Sequence, residues 1–169
     1  MKLLIASDSH GLTEELIELK RRYGGEMDAM IHCGDSELRA DEEAIRDFLT
    51  VRGNCDYERK FPLDITKEIG DSKIFVTHGH HYNVKMTLLN LSYKAKEVGA
   101  DFVFFGHSHI LGAELIENTL FLNPGSLLMP RGRTERTYAV VEKNGNTIRV
   151  SFYTDKHREL EDLRQEFSL

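Results

Sequence analysis

The chain opens on an apolar run, Leu3-Leu4-Ile5-Ala6, that stops at Ser7-Asp8-Ser9-His10. The run is shorter than a signal-peptide core and meets charge at once, so residues 2–7 read as a first strand. Leu12, Leu16, Ile17 and Leu19 then share one side of a 3.6-residue period, with Thr13 placed to cap the helix and Gly24-Gly25 to stop it. The pattern repeats as Ala29–Cys33 runs into Gly34-Asp35, followed by an acidic stretch with helical spacing over 39–48. Phe48–Arg52 gives a third short strand ending at Gly53.

The middle of the chain changes period. Phe61–Ile69 and Lys73–Thr77 are short β-rich runs around Gly70-Asp71-Ser72, which predicts a hairpin. A helix is predicted over about 84–98, ended by Gly99, and Asp101–Phe105 is a continuous apolar run suited to a strand buried on both faces. Beyond 110 the pattern is antiparallel: Glu114–Ile116 with Leu120–Leu122 around Glu117-Asn118-Thr119, and 136–143 with 146–153 through Asn144-Gly145, a type I′ signal. Residues 157–169 mix charges with few apolar anchors and read as a surface helix or frayed tail. There is no internal repeat, linker or low-complexity segment, and 169 residues are most economically one domain, 1–169. βα units first and hairpins later, with buried strands in both halves, predict an α/β (α+β) arrangement of two β-sheets with helices outside.

The formal charge of −6, from 28 acidic against 22 basic residues, speaks against a nucleic-acid or membrane-surface protein, for which a basic face is expected. No stretch approaches the roughly 20 apolar residues of a membrane span. Cys33 and Cys55 show neither a disulfide framework nor CxxC spacing, so a reducing cytoplasm is the expected setting.

The candidate chemistry lies in the turns. Five segments leave predicted strands in turns rich in Asp, His, Asn and Gly: Asp8-Ser9-His10, Gly34-Asp35, Gly53-Asn54-Cys55-Asp56, His78-Gly79-His80 and Gly106-His107-Ser108-His109. Singly, most read equally well as turns. Together they offer imidazoles, carboxylates and an amide oxygen, the mixed donors that Mn, Fe, Ni or Zn accept. A serine esterase at Ser126 lacks the G-x-S-x-G elbow, and a covalent Cys55 would leave the other four segments unexplained. His32 reads as a hydrogen-bonded core histidine.

The order D-x-H, G-D, G-N-x-D, H-G-H and G-H-x-H, followed by Asn123-Pro124-Gly125-Ser126 and Pro130-Arg131, resembles the calcineurin-like metallophosphoesterase superfamily. More narrowly it resembles the small bacterial and archaeal phosphodiesterases of the YfcE type, over residues 2 to about 153. The resemblance implies a four-layer α/β/β/α sandwich of two mixed sheets, with a binuclear centre at its rim. It implies one divalent ion on Asp8, His10, Asp35 and His109, and a second on Asp35, Asn54, His78 and His107, with Asp35 as bridge. Mn is the expected metal, with Ni, Fe or Zn as alternatives, and a metal-bridging hydroxide attacks a phosphodiester substrate. His80 is the expected phosphate contact or proton donor, and Asp56 the residue that orients a histidine in catalysis. Asn54, Cys55 and His80 are expected to touch substrate. Cys55 stands where many larger members have His, which favours diesters or activated leaving groups over alkyl monoesters.

The alternative class is a non-catalytic interaction scaffold on the same fold. Nuclease action is weakened by the acidic composition. Arg131, Arg133 and Arg136 form a basic cluster suited to a substrate phosphate or a partner subunit, and a homo-oligomer that covers a shallow site stays open.

Overall fold

In the computed structural model, which describes residues 1–168, the chain forms two mixed β-sheets packed face to face with a helix on each outer side. β1 (Lys2–Ala6) lies inside the first sheet, parallel to β2 (Ala29–His32) and antiparallel to β9 (Thr137–Asn144). Beyond β2 comes β3 (Phe48–Thr50), and beyond β9 come β10 (Thr147–Thr154) and β11 (Gln165–Ser168). The second sheet runs β4 (Asp64–Ile69), β5 (Ser72–Thr77), β6 (Phe102–Phe104), β8 (Thr119–Asn123), β7 (Gly112–Ile116), with β5, β6 and β8 mutually parallel.

The two-residue period of a strand sorts each side chain to a layer. Leu3, Ile5, Ile31, Ile74, Val76, Phe102, Phe104, Leu120 and Leu122 form the core between the sheets. Their neighbours Leu4, Ala6, Tyr138 and Val140 face outward onto Leu16 and Leu19 of α1 (Glu14–Tyr23). Phe75, Val103 and Phe121 face outward onto Leu91 and Ala95 of α2 (Leu89–Val98). The four layers follow from that alternation. No helix is long and apolar enough to cross a membrane among the described residues.

Several local expectations change. The 39–48 stretch is not a helix: Ile45 and Arg46 both bond back to the Glu42 carbonyl and Phe48 to that of Ile45, giving a series of turns that buries Ala44, Ile45 and Phe48. The helix expected from 84 begins at Leu89, because Gly79 and Asn83 are left-handed (φ 99° and 57°) and confine the preceding helical residues to one 3-10 turn, His80–Tyr82. Thr13 occupies the N-cap of α1 without a side-chain cap bond. In the last hairpin Asn144 pairs with Thr147, so the central pair is Gly145-Asn146, and only Gly145 takes positive φ (58°), the type II′ pattern. The type I′ signature falls instead on Glu117-Asn118 (φ 47° and 67°).

The tail is neither helical nor frayed. It forms a 3-10 turn at Glu161–Leu163, and β11 then closes the sheet edge against β10 while Leu160, Leu163 and Phe167 pack on the inter-sheet core. The last residue of that expected tail, Leu169, lies outside the described residues.

Candidate metal centre

All five Asp/His/Asn segments leave the carboxyl ends of strands: β1 leads to Asp8, β2 to Asp35, β3 to Asn54, β5 to His78 and β6 to His107. Each of these strands is parallel to a neighbour in its own sheet, so the turns gather on one rim, where crevices of α/β folds form. The backbone there is unusual. Asp8, His10, Asp35, Glu37, His107 and His109 all have φ between 44° and 66°. Asp and His tolerate this region better than most residues, and such strained positions concentrate at functional sites.

Two glycines make room for the carboxylates. A Cβ on Gly53 would sit 2.0 Å from Asp35 Oδ1, and one on Gly106 would sit 2.6 Å from Asp8 Oδ2 and 2.1 Å from Ser7 Oγ. Asn123 then braces the His107–His109 loop by donating from Nδ2 to the Gly106 carbonyl and to Ser108 Oγ, both at 3.0 Å.

Donor atoms converge in overlapping groups: Asp8 with His10 and His109, His10 with Asp35 and Cys55, and Asp8 with Asp35 and His78. Asn54 Oδ1 lies 3.2 Å from His78 Nε2, and the His107 ring stands 5.0 Å from that of His78 between centroids. Asp8, Asp35, His78 and His109 are buried at the floor, while Asn54 is exposed at the edge.

Proton placement decides what this cluster is suited to hold. His109 Nδ1 faces the Met129 carbonyl at 2.7 Å and His78 Nδ1 faces the Cys33 carbonyl at 2.8 Å. A carbonyl only accepts, so both Nδ1 atoms carry hydrogen, and each neutral ring presents a bare Nε2 lone pair. His109 Nε2 meets Asp8 Oδ1 at 3.0 Å, and His78 Nε2 meets Asp35 Oδ2 at 3.2 Å. Asp8 Oδ1 and His10 Nε2 are buried without a hydrogen-bond partner. With the rings neutral, acceptor faces acceptor in a buried site, and a cation between them, a proton or a metal ion, relieves it.

The Asp8 carboxylate raises His109, and His78, which burial would lower, is raised by the Asp35 carboxylate beside it. Burial alone would raise Asp35, but His78 and the Cys55 N–H hold its carboxyl well below the ordinary range. The cluster of Asp and His residues is thus a metal-ligand cluster.

The remaining predicted residues fall around it. Burial, then the Asp35 carboxylate, push Cys55 up to about 11, a neutral thiol and a poor nucleophile. His80 packs near His78 and His107 (ring centroids 5.3 and 6.0 Å), and burial with His81 and His78 lowers it to about 4, so it is uncharged near neutrality. Asp56 makes no hydrogen bond to a histidine among the described residues: its oxygens accept from the N–H groups of Asp35, Gly53 and Glu37 at 2.7–2.8 Å and from Ser36 Oγ at 3.2 Å. It holds two ligand turns together through the backbone. Ser126 is fully buried, donating to the Asp8 carbonyl and accepting from Leu128 and Met129 N–H, which suits a turn and not a nucleophile. His32 is the core histidine expected, bonded to Ser9 Oγ at 2.9 Å.

One residue was not foreseen. Glu37 Oε1 lies 2.6 Å from His10 Nδ1, turning Nε2 of that ring inward. The acid two places after a G-D turn was its only sequence signal.

A family model described as the calcineurin-like phosphoesterase superfamily domain matches residues 1–146. The chain belongs to this superfamily. It is 45% identical to a probable metallophosphoesterase of Bacillus subtilis over 169 residues, the whole of both chains. It is 30% identical to a protein named a phosphodiesterase in Methanocaldococcus jannaschii, covering 74% of this chain and 83% of that one. The crystal structure of a predicted phosphoesterase from Streptococcus pneumoniae superposes with a TM-score of 0.96 at 38% identity, covering 99% of this chain and 97% of the other. Vps29 from Entamoeba histolytica, solved with Zn2+, shares the fold alone: TM-score 0.74, 19% identity, 100% and 98% coverage. The chain is therefore a metal-binding hydrolase of phosphoester bonds by family, on the four-layer fold described above.

Proposed function

We propose that the protein is a two-metal phosphodiesterase. The observation that carries this reading is the pair of imidazoles, His78 and His109, whose Nδ1–H groups are committed to backbone carbonyls while their Nε2 lone pairs face carboxylate oxygens at 3.2 and 3.0 Å. Asp8, His10, Asp35 and His109 would hold one divalent ion, and Asp35, Asn54, His78 and His107 the other. Asp35 would serve both, because two dications close together repel strongly and a shared carboxylate would neutralise part of that charge. Mn suits this mixed O/N set, as do Fe, Ni and Zn. When bound, the ions supply Lewis acidity toward the phosphoryl oxygens and a lower pKa for the attacking water.

The chain's own residues do the rest. Glu37 and the carbonyls of Cys33 and Met129 fix three imidazoles in one tautomer. Asp56 and Asn123 hold the loops that present the donors. Asn54, Cys55 and His80, at the open edge, are the substrate contacts. His80 is uncharged near neutrality and so lacks the proton of an imidazolium, and the Cys55 thiol keeps its proton but hydrogen-bonds weakly, which leaves neither well suited to protonate an alkoxide. That favours diesters with good leaving groups over alkyl monoesters, in keeping with the name of the M. jannaschii relative.

The test is hydrolysis of bis(p-nitrophenyl) phosphate by metal-stripped protein with and without added Mn, repeated on Asp35→Asn. Mn-dependent turnover that falls at least about a thousandfold in the variant fits the reading, since the metals carry most of the rate. No turnover with any of the four metals would leave the scaffold alternative standing.

A further inference from the structure

The imidazoles of the cluster are not all held in the same way. His78 and His109 are fixed through Nδ1 to the carbonyls of Cys33 and Met129, and His10 is fixed to Glu37. His80 has no such tether: its Nδ1 is buried without a hydrogen-bond partner among the described residues, and its ring meets those of His81, His78 and His107 at 4.0, 5.3 and 6.0 Å between centroids. The place of this ring therefore depends on the turn that carries it.

That turn is the 3-10 segment His80–Tyr82, and it is pinned at both ends. At its start, Gly79 lies so close to Val84 that a Cβ would come within 2.7 Å of Val84 Cγ2, and the Tyr82 N–H donates to the Gly79 carbonyl at 3.0 Å. At its end, the Tyr82 ring packs edge-on against Phe75 of β5 at 6.2 Å between centroids, and its hydroxyl donates to Asp64 Oδ2 at 2.8 Å. Asp64 opens β4 and pairs across the sheet with Thr77, the residue before His78. The Tyr82–Asp64 bond thus ties the far end of the turn back to the strand pair from which the turn departs. An apolar ring contact tolerates sliding, whereas a hydrogen bond at the ring tip is directional and fixes its place.

Resting on the phosphodiesterase reading above, in which His80 touches substrate, we propose that Tyr82 and Asp64 are positioning residues: their hydrogen bond locks the His80–Tyr82 turn and so sets the His80 imidazole beside His78 and His107 for contact with the substrate phosphate. The pair acts through the turn and not on the phosphate. A ring without a tether of its own keeps one place only while its backbone does, and a contact group that loses its place weakens substrate binding without disturbing the metal ligands.

The experiment uses the full chain loaded with Mn and measures Mn content, inorganic phosphate binding by calorimetry, KM and kcat for bis(p-nitrophenyl) phosphate, and the His80 ring in a crystal structure of Tyr82→Phe. That substitution removes only the hydroxyl and keeps the packing on Phe75. Tyr82→Phe and Asp64→Ala should each weaken phosphate binding and raise KM about three- to tenfold with Mn content unchanged, and the crystal should show the His80 ring displaced or spread over several positions. Asp64→Asn, which keeps an acceptor oxygen, should recover most of the loss. Equal loss in the two Asp64 variants would make charge the agent and overturn the proposal. In a His80→Ala background, adding Tyr82→Phe should change phosphate affinity by less than about twofold, because the group it positions is gone. Effects that multiply in the double variant, loss of Mn, an inert His80→Ala, or an undisturbed His80 ring in Tyr82→Phe would each overturn it. Absence of turnover in the natural chain would instead strike the phosphodiesterase reading, and the phosphate titration with the crystal structure would still decide the positioning.

Discussion

Glu37 illustrates how a site of this kind is built one proton at a time. Its carboxylate takes the Nδ1–H of His10 at 2.6 Å, leaving a buried, unpartnered Nε2 for the metal. Glu37→Gln should therefore weaken Mn binding about 10–100-fold in a direct titration while the fold persists. Unchanged affinity would mean that His10 is oriented by packing alone. Cys55 makes a converse case. Cys55→Ser should change diester hydrolysis by less than about threefold, because a weakly hydrogen-bonding thiol is replaced by a group of similar size, whereas Cys55→His should raise the monoester-to-diester ratio. A large loss with Ser would show a role for sulfur itself. The candidate donors are legible at this scale because Asp, His and Asn cluster beside glycines at strand ends. Glu37 and the carbonyls of Cys33 and Met129 are not, since a backbone oxygen has no signature in sequence and an acid at a turn is common.

Among the elements, periodicity fared best where one face is buried and worst where the site dictates the chain path. Strands β1, β2, β5 and β6 alternate cleanly between core layers and were readable from their apolar runs. The 39–48 stretch has helical spacing, yet the chain after Asp35 must first set Glu37 beside His10 and give its backbone N–H groups to Asp56, and it reaches β3 through turns. Likewise left-handed Gly79 and Asn83 hold His80 at the rim and delay α2. The tail shows no period in sequence because Leu160, Leu163 and Phe167 are widely spaced, and the open edge of β10 gives them their surface. Phe167→Ala should cost about 1–3 kcal/mol in urea denaturation, less than a fully buried Phe, and should speed amide exchange along β10 and β11. A loss below about 0.5 kcal/mol would mean that β11 contributes little.

For the whole molecule, the two-sheet frame supplies a rigid rim on which backbone strain can be kept, and His32 links that frame to pH. This imidazole is fully buried, accepts from the Gly34 N–H at 3.3 Å and donates to Ser9, and burial lowers it from 6.5 to about 4. Below pH 6.5 the unfolded chain takes up a proton that folded His32 refuses, so its contribution to stability is complete above 6.5 and is lost as pH falls toward 4, by about 1.4 kcal/mol per unit. In metal-free protein, His32→Gln should be less stable than the natural chain at pH 7.5 but lose less stability between pH 6.5 and 5. Parallel slopes would remove His32 as the cause. The layered architecture and the location of the site were legible from strand-then-turn order, while acidic composition spoke only to which partners are disfavoured, since local cations such as Arg131 are averaged away in a net charge.

The central claim is that seven donors from five loops hold two ions. An anomalous difference map from crystals grown with Mn tests it most directly. Two peaks are expected on either side of Asp35, one against Asp8, His10 and His109 and the other against Asn54, His78 and His107. A single peak, or none within reach of Asp35, would contradict it.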